Sequence, residues 1–204
     1  CGLYDSSKDF DFGNGTHYES VFDSVGGAYV AKYDAMANLV WVRTISDGGL
    51  KYAFWAGENN GEIYLSGHES ELDTLLVDTS WILVGRTDFF ISKYDVGGSL
   101  VWKRDIGEVS GDDGVKSCVL DDLGNLYVAG NFQNSVDFNP GGVSNNLLSV
   151  GRHDMFVAKY NSTGINEWAY NISDQNDTSS TALAYTIRNQ ILSMDYDSQE
   201  GLLL

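Results

Sequence analysis

The sequence predicts an all-β chain built from repeated four-stranded antiparallel sheets, and three observations predict it. Residues 28–43 (AYVAKYDAMANLVWVR), 89–104 (FFISKYDVGGSLVWKR) and 155–170 (MFVAKYNSTGINEWAY) are copies of one segment, with Lys32, Lys93 and Lys159 each nine residues ahead of Trp41, Trp102 and Trp168. A second segment recurs between the copies in constant phase, as GEIYLSG at 61–67 and GNLYVAG at 124–130. The composition is that of short strands joined by tight turns: 23 Gly and 12 Tyr in 204 residues, with apolar runs cut by Gly, Asn and Asp clusters and no sustained helical period. The lysines are spaced 61 and then 66 residues apart, a unit longer than most helical or leucine-rich repeats and suited to a small sheet.

Each element follows in order. Strands near 1–4, 28–34 and 39–46 make a first, incomplete unit over about 1–47; Cys1-Gly2 aligns with Ser66-Gly67 and Ala129-Gly130, so the sequence opens inside a repeat. Strands near 51–57, 62–67, 88–95 and 100–106 make a second unit, 51–107. Those near 114–120, 125–131, 154–160 and 165–171 make a third, 114–172. Two more, near 181–187 and 190–195, begin a fourth over 180–204, with NQILSM (189–194) as a degenerate form of the second segment. AYVAKYD and MFVAKYN alternate larger apolar with smaller or polar residues, the period of two of a strand with one face in a core. The turns DAMAN, DVGGS, NSTGI, DDLGN and ENNGE carry Asp, Asn or Gly where a short hairpin needs local hydrogen bonding or positive φ. Four-stranded units of this sort arranged radially make a β-propeller. The expected architecture is therefore a single partial β-propeller over 1–204, a fragment of about three four-stranded blades.

The residues also carry a family resemblance. An apolar residue followed by [FY]-[VI]-[AS]-K-Y-[DN], six further residues and Trp, then G-[EN]-[IL]-Y-[LV]-x-G after a spacer, resembles the SBBP-type β-propeller repeat of secreted and cell-surface proteins, mainly bacterial. NSVDFNPG (134–141) is a further feature of some of those repeats, and DFDFGNG (9–15) is similar to it. The resemblance covers nearly the whole chain. It implies an extracellular or cell-surface scaffold with an adhesive or binding role and names no ligand, because propellers host many activities.

Internal repetition separates scaffold from site. A residue that recurs in every unit does what every unit needs, so Trp41, Trp102 and Trp168, with Tyr33, Tyr94 and Tyr160, are assigned to packing between neighbouring units. Lys32, Lys93 and Lys159 are expected to lay their stems along those aromatics. Gly-Arg-x-Asp, at 85–88 and 151–154, reads as an Arg–Asp turn clasp. Non-repeating positions are the better functional candidates. Long segments at about 5–27, 68–87 and 132–153 join the second and third strands, and in a propeller they share a face with the linkers between units. Those linkers are acidic: Asp47, then Glu108, Asp112 and Asp113, then Asp174 and Asp177 are the candidate binding residues, expected near the mouth of a central channel. Carboxylates converging there with backbone carbonyls would suit Ca²⁺, which takes six to eight oxygen ligands, although no linker shows the D-x-[DN]-x-[DN]-G rhythm.

Charge and chemistry narrow the role. Twenty-nine acidic against 12 basic residues give −17, and no Lys/Arg cluster offers a phosphate footprint, so nucleic acid and anionic membrane surfaces are not expected partners. No run of eighteen apolar residues signals a membrane span. The expected partners are a protein or glycan ligand, and further blades of the same protein or other copies of the chain to close a ring. His17, His68 and His153 fall in long segments of different units without a serine elbow or metal-ligand spacing, so a non-enzymatic role is expected. The alternative is a propeller enzyme, hydrolase or lyase, with carboxylates around the channel mouth. Cys1 and Cys118 fall on expected strands two units apart and read as free, buried thiols. Sequons at Asn14, Asn161, Asn171 and Asn176 suit a secreted protein.

Overall fold

In each repeat the Lys-Tyr segment is one strand and the Trp segment is its neighbour, joined by a turn that an Asp or Asn side chain caps. The Oδ1 atoms of Asp34, Asp95 and Asn161 accept the N–H groups four residues on, from Asn38, Ser99 and Ile165, at 2.9, 2.8 and 3.1 Å, and Asp121 caps the turn of the preceding hairpin in the third unit in the same way, through Asn125 N–H at 2.8 Å. A computed structural model of the chain describes residues 1–4, 6–13, 15–20, 27–45, 50–77, 80–107, 113–150, 153–172, 193–199 and 201–203. In chain order the strands are β1 (Gly2–Tyr4), β2 (Lys8–Asp9), β3 (Tyr18–Glu19), β4 (Gly27–Tyr33), β5 (Leu39–Ile45), β6 (Leu50–Asn59), β7 (Glu62–Val77), β8 (Ser80–Tyr94) and β9 (Leu100–Ile106). They continue as β10 (Gly114–Leu120), β11 (Leu126–Phe132), β12 (Ser135–Asp137), β13 (Asn146–Leu148), β14 (Asp154–Tyr160), β15 (Asn166–Ile172), β16 (Asp195–Asp197) and β17 (Gly201–Leu203). Among the described residues there is no helix. Sheet I has the order β1-β4-β5, sheet II β6-β7-β8-β9 and sheet III β10-β11-β14-β15, and three two-stranded hairpins, β2-β3, β12-β13 and β16-β17, stand beside them. All these pairings are antiparallel.

The nine-residue Lys-to-Trp spacing is a strand register. Lys32, Lys93 and Lys159 lie directly opposite Trp41, Trp102 and Trp168, with an irregularity immediately after each Lys. On the other side Tyr64 faces Lys93, and Tyr127 faces Lys159. A Tyr–Lys–Trp row therefore crosses three strands in sheets II and III.

Successive side chains of β8 serve two different cores. Phe89 and Ile91 pack with Ile106 against Val115, Val128 and Phe156 of sheet III, and the Phe89 and Phe156 rings stack 5.3 Å apart. Phe90 packs the other way, with Ala28, Val30 and Ile45 of sheet I. Sheet II is thus covered on both faces, which explains why FFISKY is buried throughout rather than at alternate positions. Each large apolar side chain buried here contributes about 1.5–3 kcal/mol.

Several expectations are corrected. Of the loop expected at 68–87, residues 68–77 and 80–87 are strand: β7 and β8 keep pairing from His68–Phe89 out to Val77–Ser80, in keeping with the strand-forming residues of LDTLLV and SWILVG. His68 is consequently a strand residue. The last described hairpin is β16-β17; of the expected strand at 190–195, residues 190–192 lie outside the described residues, 193 and 194 are not strand and Asp195 opens β16, while Asp197 accepts the Gln199 N–H at 2.7 Å and starts a turn like those of the earlier units. The expected strand at 181–187 lies outside the described residues. Cys1 is exposed ahead of β1 rather than buried in a strand; Cys118 is buried, which pushes its thiol up to about 12, and both are free. β10 lies beside β6 across the seam between sheets II and III, and β16 lies beside β10 in turn. The Met194 N–H donates to Ser117 Oγ at 2.8 Å and Tyr196 stacks on Tyr127 at 5.6 Å, holding β16 against sheet III.

Candidate functional site

Two seams carry the scaffold. At the seam between sheets I and II, Trp41 Nε1 donates to Val96 O at 3.0 Å, and Arg43 donates through Nε to Gly98 O at 2.7 Å and through Nη2 to Gly97 O at 3.0 Å. At the next seam Trp102 Nε1 donates to Ser162 O at 3.1 Å and Arg104 Nε to Gly164 O at 3.1 Å. Each indole lies flat on the turn glycine it meets. Gly98 and Gly164 have φ of +78° and +77°, and a Cβ on either would stand 2.7 Å from the Trp ring. Trp41 and Trp102 are buried, as packing residues between units should be. Trp168 is half-buried instead, 6.0 Å from Tyr127 and 5.3 Å from Tyr170, which stands where the other units have Arg.

The tyrosines and lysines add polar contacts to these seams. Tyr94 packs with Trp41 in the core between sheets I and II, 6.4 Å away, and Tyr160 shares the core between sheets II and III with Trp102, while the Tyr160 and Tyr33 hydroxyls reach loops of their own unit. The Lys93 and Lys159 ammonium groups stand over Tyr64 and Tyr127, at 5.1 and 5.5 Å, where the register puts those tyrosines on one side of each lysine and Trp102 or Trp168 on the other. Burial pulls the Lys93 pKa down, but the Glu62 carboxylate at 2.7 Å and the Tyr64 hydroxyl hold it above the ordinary value. Glu167, at 2.9 Å, does the same for Lys159. Lys32 donates to Gly61 O at 2.8 Å across the first seam.

Above sheets I and III stand loops held by one frame. Asp137 Oδ1 accepts the N–H groups of Asn139 and Asn145, both at 2.9 Å; Asp9 Oδ1 accepts those of Asp11 and His17 at 3.0 and 2.8 Å. The next residue, Phe138 or Phe10, is buried and pairs its N–H with Asn145 O or His17 O, at 3.0 and 2.9 Å. Its carbonyl accepts the hydroxyl of Tyr160 or Tyr33, at 3.0 and 2.9 Å. In the first frame the hydrogen bonds from His17 and Asp11 hold Asp9 below the usual carboxylate range. For Asp137 burial pushes the other way, and the bonds from Asn139, Asn145 and Ser144 overcome it. The tips differ. Phe12, 73% exposed, stacks on Tyr33 at 4.9 Å in one; Pro140, two glycines and Val143, 89% exposed, form the other.

Beneath the second tip is a cleft of about 840 Å³ between the loop, the start of β15 and Arg104 of sheet II. Asn166, buried at its base, accepts from Asn145 Nδ2 at 2.8 Å and donates to Lys159 O and Trp168 O at 3.3 and 3.1 Å. Neither Arg104 nor the asparagines stood out in the sequence. Their signals were an Arg two residues after Trp41 and again after Trp102, and the recurrence of Asp-Phe-[Asp/Asn] at 9–11 and 137–139.

Of the acidic linker residues, Asp47, Glu108, Asp112, Asp174 and Asp177 lie outside the described residues. Asp113 is buried, and its Oδ1 accepts the Gln133 N–H at 2.8 Å, tying the start of β10 to the end of β11. Among the described residues no three His, Cys, Asp or Glu side chains gather into a metal-binding group. The arginine side chains of the expected turn clasps are outside the described set, while Asp154 accepts from Val150 N at 2.7 Å and Asn171 Nδ2 at 2.9 Å. The histidines are dispersed: His17 meets Glu19 at 3.0 Å, His153 meets Gln133, and half-buried His68 donates through Nε2 to Val115 O at 3.2 Å, with burial lowering its pKa. Among the described residues no helix is long and apolar enough to cross a membrane. A scan against protein-family models and a search of curated proteins both return no match, so the chain's own geometry carries the functional argument.

Proposed function

We propose that sheets I to III are successive blades of a β-propeller and that the chain is a non-enzymatic binding module, acting outside the cell or at its surface. A protein or glycan ligand sits on the loops that join the second and third strands. The succession of β6, β10 and β16 as neighbouring first strands, with antiparallel four-stranded sheets II and III packed face to face, supports the blade reading. The observation that carries the binding reading is the contrast between frame and tip. Two loops repeat the Asp–Phe–Tyr hydrogen bonds while presenting unrelated exposed residues, Phe12 in one and Gly141 to Val143 in the other. A constant support under a varied tip is how rigid scaffolds display recognition surfaces.

The test is a panel of soluble glycans and extracellular proteins, presented to wild type and to tip variants Phe12→Ser and Val143→Asp. The expected result is a ligand whose binding falls at least about tenfold in one tip variant, corresponding to more than about 1.4 kcal/mol, with unchanged thermal unfolding. Ligands that bind both tip variants as they bind wild type would refute the loop face as the binding surface.

A further inference from the structure

Arg43 and Arg104 occupy the same place in successive sheets and use two nitrogens in the same way. Each donates Nε to the turn glycine across its seam and Nη1 to the carbonyl before it, Val42 O at 2.7 Å and Lys103 O at 2.8 Å. They part at the third nitrogen. Arg43 Nη2 is taken by Gly97 O at 3.0 Å, whereas Arg104 Nη2 makes no hydrogen bond among the described residues, and Arg104 lines the cleft under the 139–145 loop. The carboxylate in that cleft, Glu167, is already engaged by Lys159 at 2.9 Å. Arg104 is therefore a half-buried cation with an open donor, in a chain whose formal charge is −17.

We infer that this cleft is a subsite for one uronic-acid residue of an acidic oligosaccharide, with Arg104 donating to the uronate carboxylate. The inference rests on the binding-module reading and names its ligand. A guanidinium offers directional N–H donors that match a carboxylate. The surrounding groups suit a sugar ring: the Asn139 and Asn145 amides each give one N–H to the loop's own frame, to Val143 O and Asn166 Oδ1 at 2.8 Å, and have a second N–H for a ring hydroxyl, while exposed Val143 and Ile165 offer aliphatic surface to ring C–H groups. The cleft volume is within the range of small-ligand sites. Arg104 is the one cationic residue among those lining the cleft, which matches the one carboxylate of a single uronate.

Galacturonate and glucuronate trimers, each with its carboxyl-reduced neutral counterpart, are titrated calorimetrically into the full chain. Wild type is expected to bind at least one acid trimer about tenfold or more tightly than its reduced form. Arg104→Gln is expected to lose that advantage and Arg104→Lys to keep part of it. Arg43→Gln, which breaks the matching seam contact away from the cleft, should bind as wild type does. Equal binding of acid and reduced trimers overturns the inference, as does equal loss in Arg43→Gln and Arg104→Gln. The carboxyl comparison uses wild-type protein and holds even where a variant fails to fold. A glutamate tripeptide that binds at Arg104 more tightly than either trimer also overturns it, in favour of an acidic peptide. If other panel ligands bind through the 139–145 tip and no uronate binds, this inference fails while the binding module stands.

Discussion

The seams between sheets and the loops above them repeat to different depths. At the two seams the agreement extends to atoms: indole N–H to a turn carbonyl, Arg Nε to a glycine carbonyl, and an indole resting on that glycine. In the loops it extends only to the frame, and the tips share nothing beyond exposure. Groups that recur in full are holding sheets together; groups that recur only up to the tip are holding something out to solvent.

The largest test of this division is Trp102→Ala, expected to lower stability by about 3–5 kcal/mol in denaturant titration, through lost burial and an unfilled seam. A loss below about 1 kcal/mol would break the comparison. Next comes a pair of glycines that share a left-handed backbone and differ in surroundings. Gly164→Ala puts a methyl against Trp102 and should cost about 2–4 kcal/mol; Gly141→Ala, with φ of +84° and open space around it, should cost only the backbone strain, about 1–2 kcal/mol. Equal costs would mean that the indole contact is not tight. The two frames can then be ranked against each other. Tyr160 is fully buried and Tyr33 is not, so Tyr160→Phe should cost about 1–2 kcal/mol and Tyr33→Phe about 0.5 kcal/mol, read from unfolding midpoints.

The smallest effect is one of pH. Asp9 and Asp137 are held below their ordinary range in the folded chain, so their contribution is fully present above the unfolded-state pKa, near about 4, and is lost as pH falls through the folded values. Protection of the His17 and Asn145 amides against exchange should therefore fall in acid before that of the β8 amides does. Asp137→Asn should remove that dependence at Asn145 alone. Simultaneous loss of protection in β8 and both loops would show that frame and seam open as one unit.

Much of the fold was legible because hairpin length converts register into sequence distance. Lys32 and Trp41 face each other across a short turn, so their nine-residue spacing survives wherever that turn does. The long β7-β8 extension was not legible in the same way, since Gly85, Thr87 and Asp88 punctuate it like a loop while its aliphatic runs form strands. The site was only partly readable. Asp9-Phe10 and Asp137-Phe138 announce a repeated element, but its meaning depends on the Tyr33 and Tyr160 hydroxyls, more than twenty residues away. The cleft lay further out of reach, because Arg104 enters it from a neighbouring sheet and its open donor follows from a turn carbonyl it does not contact.

Sheet I ends its turn differently. Ala37 takes φ of +63° at the place of Gly98 and Gly164, and so carries a methyl group where an arriving indole would have to lie. The stacking rule thus has a direction that can be engineered: adding a Trp-bearing sheet against this turn would require Ala37→Gly first, and the same change made alone would relieve the left-handed strain that Ala37 carries. For anyone extending or splicing these repeats, that one side chain decides on which flank a new module fits without further redesign.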